Sequence, residues 1–250
     1  MARSNTGPKR RKTGRLHNCT ALITGATRGI GLAIARAFAD EGCNLIVTAR
    51  DEESLINLSR ELARKKIRVL AHPVDVRDPN SVDDLFRAVR REFRSLDILV
   101  NNAGIAHANF PVDQLPYPVW KNVFATNVDG TFLVTQAALV LMRRGGTIIN
   151  NLSIAATRVF SGTAAYNASK HAALGLTNTL REELRPRGIR VIGLFPGATD
   201  TDIWKTLWPQ APRKKMMSAE TVAKAVLEAI LLPPNATVET LEILPTVGTL

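Results

Sequence analysis

Residues 24–31 read Thr24-Gly25-Ala26-Thr27-Arg28-Gly29-Ile30-Gly31 and separate two segments of different pattern. Residues 19–24 form a short apolar run, and residues 30–41 have the apolar spacing of an amphipathic helix. A strand, a glycine turn and a helix in this order expose backbone N–H groups to which a phosphate can bind. A tight turn without a ligand has the same glycines, so the turn alone is a weak signal. In this context it predicts a nucleotide-binding turn that uses Thr24, Gly25, Thr27, Arg28, Gly29, Ile30 and Gly31.

The rest of the chain alternates short apolar runs with longer amphipathic segments, a pattern typical of parallel strands joined by crossover helices. Strands are predicted near residues 19–24, 44–49, 67–74, 96–101, 146–152, 189–195 and 239–244. Helices are predicted near residues 30–41, 52–65, 79–94, 116–142, 163–185 and 218–231, with N-caps at Asp78 and Ser218. The pattern therefore predicts an α/β fold: a Rossmann-like, doubly wound three-layer αβα sandwich with a seven-stranded parallel sheet. In such a fold the ligand binds at the carboxyl ends of the strands.

Composition favours one domain preceded by a basic tail. The chain has 250 residues, 45% of them hydrophobic, which suits a single catalytic domain over residues 16–250. The net charge is +11, and residues 1–15 hold six basic residues and no acid. Because residues 7–12 offer no apolar side chain to bury, residues 1–15 are predicted to be a disordered tail. A basic run can bind nucleic acid or anionic lipid, but a solvated extension is favoured and nucleic acid is not expected as a partner.

Other features narrow the class of protein. No run of 18 or more apolar residues and no leader-like segment is present, so a cytoplasmic protein without a membrane span is expected. Cys19 and Cys43 lie in apolar runs and are predicted to be reduced thiols. The four histidines are scattered without metal-ligand spacing, so no metal is expected.

Tyr166 and Lys170 stand four residues apart, and Ser153 lies thirteen positions before Tyr166. Side chains at i and i+4 share one face of a helix, so the phenol and the ammonium can serve one site. A free phenol has a pKa of about 10, and a cation within about 4–6 Å lowers it. We therefore expect Lys170 to make Tyr166 usable for proton transfer. Taken singly, each residue has an equally good structural interpretation. Ser153 could cap the end of a strand, Tyr166 could pack a helix, and Lys170 could be a solvated charge.

The end of the second predicted strand bears on the choice of cofactor. It reads Val47-Thr48-Ala49-Arg50-Asp51. An acid here typically binds the ribose hydroxyl of NAD, whereas arginine suits the 2′-phosphate of NADP. Arg50, helped by Arg28, favours NADP(H), while Asp51 leaves NAD(H) possible.

The ordered motifs resemble those of the classical short-chain dehydrogenase/reductase family. They are Thr24–Gly31, Asp75-Val76, Asn101-Asn102-Ala103-Gly104, Asn127, Ser153, Tyr166-x-x-x-Lys170 and Pro196-Gly197, and the resemblance covers about residues 17–245. It implies a single Rossmann-like domain, a nicotinamide cofactor, no metal, and a homodimer or homotetramer. Oxoacyl-carrier-protein reductases have the nearest general pattern. One departure is Leu152, where many relatives have a second serine.

The resemblance also implies roles for individual residues. Tyr166 is the expected general acid and base, Ser153 binds the substrate oxygen, Lys170 binds the nicotinamide ribose, and Asn127 holds a helix irregularity and a water for proton relay. The remaining expected cofactor contacts are Asp75 and Val76 at adenine, Asn102, Ala103 and Gly104 along the ribose, and Pro196, Gly197, Thr199 and Thr201 at the carboxamide.

The expected function is that of an NADP(H)-dependent oxidoreductase that interconverts a carbonyl and a secondary alcohol. The alternatives are a redox-silent NADP-binding scaffold and a dehydratase or epimerase of the same family. Residues 202–215 are interpreted as a lid that carries Trp204 and Trp208, or equally as an exposed loop. Phe110, Arg158 and Phe160 are further pocket candidates. The helices near 116–142 and 163–185 are apolar on more than one side, which favours a subunit interface.

Overall fold

The computed structural model describes residues 14–249, which build a seven-stranded sheet in the order β3-β2-β1-β4-β5-β6-β7. Every neighbouring pair of strands is parallel. The strands are β1 Thr20–Thr24, β2 Asn44–Ala49, β3 Val69–Pro73, β4 Leu96–Asn101, β5 Met142–Asn151, β6 Arg190–Pro196 and β7 Thr240–Ile243. The predicted fold class is confirmed, and each predicted strand has its counterpart.

Helices cover both faces of the sheet. They are α1 Gly29–Asp40, α2 Glu52–Ala63, α3 Pro79–Glu92, α4 Tyr117–Phe124, α5 Gly130–Ala138, α6 Ala164–Leu184, α7 Trp204–Leu207 and α8 Ala219–Ile230. Buried side chains of α1, α2 and α8 share one core cluster, and those of α3, α5 and α6 share a second. Asp78 and Ser218 cap α3 and α8 as predicted, each accepting a hydrogen bond from a backbone N–H of the first turn.

The single helix predicted over residues 116–142 is wrong in two respects. A π-helical turn, Ala125–Asp129, interrupts it between α4 and α5, and α5 already ends at Ala138. Met142 pairs instead with Leu96, so β5 begins four residues before the predicted start at residue 146. The apolar run of residues 139–142 continues a helical pattern, but Met142 belongs to the sheet's core cluster and Leu139 and Leu141 pack against that cluster.

The sheet has its switch point between β1 and β4, which are neighbours although two strands separate them in sequence. The helix that follows β1 packs on one face, and α5, which follows β4, packs on the other. The chain therefore diverges at the carboxyl ends of these strands and leaves a crevice between them.

The chain is anchored before β1. The side chain of Arg15 pairs with Glu41 at 2.7 Å and with Glu228 at 2.9 Å, and Leu16 is buried. The predicted tail boundary at residue 15 is therefore too late, because Arg15 bridges the ends of α1 and α8. Residues 1–13 of the predicted tail lie outside the described residues. Within residues 14–249, no helix is both long and apolar enough to cross a membrane.

Candidate active site

A cavity of about 1140 Å³ follows the carboxyl ends of the strands. Most residues that the sequence analysis selected line it. They are Gly25, Thr27, Arg28, Gly29, Ile30, Arg50, Asp75, Val76, Asn102, Ala103, Gly104, Ser153, Tyr166, Lys170, Pro196, Gly197, Thr199 and Thr201. The glycine turn and the Ser-Tyr-Lys group therefore face one shared space, although more than 120 residues separate them in sequence.

Three of the selected residues do not line the cavity. Thr24 is buried, and its Oγ1 accepts hydrogen bonds from the N–H groups of Asn102 and Ala103, both at 2.9 Å. A Cβ at Gly31 would overlap the Asn102 amide and the Gly25 carbonyl oxygen, so this glycine allows α1 to pack against the turn. Both residues hold the glycine turn in position, and neither is among the residues that line the cavity.

Asn127 is the third residue outside the cavity lining. It lies in the π-helical turn, where the expected helix irregularity is present. Its Oδ1 accepts from Ile105 N at 2.9 Å, and its Nδ2 donates to Ile105 O at 2.9 Å and to Ser169 Oγ at 3.0 Å. These three bonds tie the side chain to the loop after β4 and to α6, and Asn127 is not among the residues that line the cavity.

The glycine turn fits a bound pyrophosphate. Gly25 and Gly29 have φ values of +63° and +55°, a backbone conformation that favours glycine. A Cβ at Gly25 would lie 3.0 Å from the Ala103 Cα, so the turn also needs the small residue for space. No side chain caps α1 and its first turn holds no acid, so its N–H groups are available to an anion.

The far end of the cavity is basic. The side chains of Arg28, Arg50 and Arg77 are exposed, and all three residues line it. Asp51 accepts a hydrogen bond from Ser54 N at 3.0 Å and caps α2, so its carboxylate is already engaged. Thr48 lines the same end with a buried hydroxyl that has no partner among the described residues. The unpaired hydroxyl of Thr48 and the exposed guanidinium groups of Arg28 and Arg50 suit a polar, anionic group here.

Asp75 was expected to contact adenine, but its carboxylate already binds Arg77. The Arg77 Nε lies 2.9 Å from Oδ1 and 3.0 Å from Oδ2. This side-chain pairing holds the pKa of Asp75 below its usual value. Arg77 also donates to Asn122 Oδ1 at 2.6 Å, so it ties the loop after β3 to α4.

Ser153 has an unusual backbone. Its φ of 122° lies in a region that non-glycine residues rarely adopt, at a cost of about 1–3 kcal/mol. Its Oγ accepts a hydrogen bond from Ala155 N at 3.1 Å, so the hydroxyl can still act as a donor. Strain of this kind is typical of functional positions, and here it fixes a hydroxyl directly after β5.

Tyr166 and Lys170 lie on one face of α6, as predicted, with the Lys170 Nζ 5.7 Å from the centre of the tyrosine ring. Burial raises the pKa of Tyr166 above its ordinary value, and a hydrogen bond with Ser153 opposes part of that rise. The net shift of the Tyr166 pKa is therefore upward, opposite to the direction expected from Lys170, because burial is the largest cause. The phenol remains protonated at neutral pH and is ready to act as an acid.

Lys170 is itself perturbed. It is 7% exposed, and burial lowers the pKa of its ammonium to about 8. Its Nζ donates to Asn151 O at 2.8 Å, Asn151 Nδ2 donates to Asn102 Oδ1 at 2.9 Å, and Asn102 Nδ2 donates to Gly25 O at 3.0 Å. A chain of hydrogen bonds thus joins the lysine to the glycine turn.

Sequence reasoning missed Asn151 in this chain. The available signal was its position two residues before Ser153, because alternate residues of a strand point to the same side. Arg77 and Thr48 were missed as well, and nothing local to their sequence distinguishes them.

Residues 202–215, which the sequence analysis interpreted as a lid or an exposed loop, contain α7. Three side chains of this segment, Trp204, Leu207 and Trp208, line the cavity. Phe160 lines it too, as predicted. Phe110 and Arg158 are outside the lining: Phe110 stacks on His107, and Arg158 pairs with Glu242 at 2.9 Å.

Comparison with known proteins agrees with this arrangement. The family described as short chain dehydrogenase matches residues 19–212, and this chain belongs to that family. A relative in Chromohalobacter salexigens named sulfoacetaldehyde reductase 2 is 36% identical, over 90% of this chain and 93% of that protein. An uncharacterised oxidoreductase of Staphylococcus aureus is 32% identical, over 90% of this chain and 96% of that protein.

Solved structures of the same fold superpose closely. A short-chain dehydrogenase of Burkholderia cenocepacia in complex with NADP has a TM-score of 0.85 at 32% identity, covering 92% of this chain and 98% of that chain. An alcohol dehydrogenase of the archaeon Thermococcus sibiricus complexed with 5-hydroxy-NADP has a TM-score of 0.85 at 30% identity, with 91% and 97% covered. A 3-ketoacyl-(acyl-carrier-protein) reductase of Brucella melitensis complexed with NADH has a TM-score of 0.83 at 27% identity, with 92% and 98% covered.

Proposed function

We propose that this chain is an NADP(H)-dependent oxidoreductase that interconverts a carbonyl and a secondary alcohol, with Tyr166 as its general acid and base. The observation that carries the proposal is the meeting of Ser153, Tyr166 and Lys170 with an uncapped, glycine-rich helix N-terminus in one cavity. A nicotinamide bound there would give or accept the hydride, and the structures of relatives with NADP or NADH support such a cofactor.

The residues of the chain supply proton transfer and positioning. In the reducing direction, Tyr166 donates its phenolic proton to the oxygen of the substrate carbonyl, and its raised pKa keeps that proton on the phenol beforehand. Ser153 donates its hydroxyl hydrogen to the same oxygen and stabilises the charge that develops on it. The ammonium of Lys170, whose Nζ lies 5.7 Å from the centre of the Tyr166 ring, then stabilises the resulting phenolate electrostatically.

Asn127 is not assigned a direct part in the proton relay. Its side chain is occupied by Ile105 and Ser169, so it holds the π-helical turn and the loop after β4 in place. We assign it a positioning role and leave proton transfer to Tyr166 and Lys170.

A cofactor preference for NADP(H) follows from the basic end of the cavity. Arg50 and Arg28 are exposed at its edge, and the Asp51 carboxylate is held by Ser54 N. A 2′-phosphate would gain charge-assisted hydrogen bonds there, whereas the ribose hydroxyl of NAD would share the Asp51 carboxylate with Ser54 N.

Substitution of Arg50 tests that preference. Arg50→Ala should raise the KM for NADPH about 10- to 100-fold, the equivalent of one charge-assisted hydrogen-bonding pair, and leave the KM for NADH nearly unchanged. Steady-state kinetics with both cofactors measures this. Arg60→Ala is the matched control, since Arg60 is exposed on α2 and outside the cavity lining. A wild-type KM lower for NADH than for NADPH would contradict the assignment.

A panel of ketones, diketones, quinones and oxoacyl thioesters tests the reaction class. We expect at least one to be converted to its alcohol with equal consumption of NADPH. Product formed without net oxidation of NADPH would indicate a dehydratase or epimerase. Binding of NADPH without any turnover would indicate a redox-silent scaffold.

The same proposal includes assembly into a homodimer or homotetramer. Phe132 on α5 is 47% exposed and Val140 just after it is 76% exposed, which suits burial against another subunit. The exposed side chains of α6, in contrast, are small or polar, for example His171 and Asn178. Light scattering that gives the mass of one chain would contradict the assembly.

A further inference from the structure

The part of the cavity beside Ser153 and Tyr166 is largely apolar. Ile154 and Ala155 follow Ser153 directly, and Phe160 is fixed near the start of α6 because Asn167 Nδ2 and Thr163 Oγ1 both donate to its carbonyl at 2.9 Å. Another part of the cavity wall comes from α7 and the residue after it. Trp204, Leu207 and Trp208 line the cavity there, with Asn109, Ser161 and Thr249 as polar neighbours.

The two tryptophans differ in how firmly they are held. Trp204 Nε1 donates to Thr199 O at 2.8 Å, which fixes this ring against the loop after β6. Trp208 meets Trp204 edge to face at 6.5 Å between ring centres and is 43% exposed. Trp208 is thus a large aromatic side chain of the cavity lining with nearly half of its surface exposed to water. A ligand ring that covers it would gain both apolar burial and an aromatic contact.

The charges at this end are already matched. Lys205 and Asp202 both line the cavity, and the lysine Nζ lies 2.6 Å from the Asp202 carboxylate. Arg158 pairs with Glu242 at 2.9 Å and donates to Thr249 Oγ1 at 2.8 Å, which holds the segment after β7 as the outer wall. An anionic substituent at this wall would therefore compete with Asp202 for Lys205 or with Glu242 for Arg158.

We infer that the substrate is a ketone or aldehyde with a bulky apolar or aromatic group, held between Phe160 on one side and Leu207 and Trp208 on the other. This inference rests on the proposed function and names the substrate class of that site. The substrate inferred for this chain therefore differs from sulfoacetaldehyde, the short anionic aldehyde in the name of its Chromohalobacter relative. Trp208 is the main specificity-determining residue, because nearly half of its surface is exposed and a bound ligand could cover it.

Benzylacetone and butanone provide the sharpest test, because they share a methyl ketone and differ by one phenyl ring. The full-length enzyme with saturating NADPH should prefer benzylacetone by about 100-fold in kcat/KM, the expected effect of burying an aromatic ring. Trp208→Ala should lower that ratio about 10-fold, and Trp208→Phe should restore most of it. The ratio is measured within each variant, so partial loss of folded enzyme does not alter it.

Tyr117→Ala is the matched control, because Tyr117 is another exposed aromatic side chain but lies on α4, outside the cavity lining. It should leave the ratio unchanged. An unchanged ratio in Trp208→Ala, or a higher kcat/KM for sulfoacetaldehyde than for benzylacetone, would overturn the apolar assignment while leaving the proposed function intact. Absence of NADPH oxidation with every carbonyl compound would overturn both.

Discussion

At the level of single residues, the site depends on two opposite effects of burial. Burial raises the pKa of Tyr166, so the phenol keeps its proton. Burial also lowers the pKa of Lys170 to about 8, so the ammonium loses its proton more easily. The spacing of Ser153, Tyr166 and Lys170 was readable from the sequence, because strand ends and one helix face meet in this fold. The direction of the pKa shift of Tyr166 was not, since desolvation depends on atoms brought together by the whole fold.

The buried ammonium of Lys170 makes a prediction about stability and pH. Its pKa is about 8 in the folded chain, against an ordinary value of 10.5 when unfolded. Between these values the unfolded state binds the extra proton, so this group makes stability rise with pH, by about 3 kcal/mol in total. Below pH 8 both states are charged, and the folded state bears the whole cost of burial.

Chemical unfolding of the wild type and of Lys170→Met across that pH range measures this effect. The variant should lack the rise, and the difference between the two proteins isolates Lys170 from other groups that titrate in the same range. Parallel pH profiles in the two proteins would show that the ammonium is not buried.

At the level of elements, the local sequence predicted correctly those features that depend only on neighbouring residues. Asp78 and Ser218 cap their helices as predicted, since a cap needs only its own first turn. The interruption at Ala125–Asp129 was not predictable from apolar spacing, because it depends on the bonds between Asn127 and Ile105, which lies in another segment. The resemblance to a known family supplied that irregularity where the pattern alone did not.

Substitution of Asn127 tests the role of the π-helical turn. Asn127→Ala would leave the partly buried N–H and C=O of Ile105 without these partners, and should lower the free energy of unfolding by about 2–4 kcal/mol. Urea denaturation measures the change. Asn178→Ala on the exposed face of α6 is the control and should have little effect. A similar small loss for both variants would contradict the positioning role.

At the level of the whole molecule, the chemistry is confined to the carboxyl edge of the sheet. Arg15 joins the ends of α1 and α8 at the opposite edge, where the described chain begins. The alternation of strands and helices was sufficient to predict this architecture, because parallel strands require crossover helices on both faces. The anchoring of Arg15 was missed, since both of its partners are distant in sequence.

The most direct test of the account is the turnover of Tyr166→Phe with NADPH and the best carbonyl substrate, measured together with the Kd for NADPH. We expect the Kd to change little and kcat to fall by roughly 10²–10⁴-fold, because only the donated proton is removed. A variant that binds NADPH and keeps most of its turnover would show that Tyr166 is not the acid.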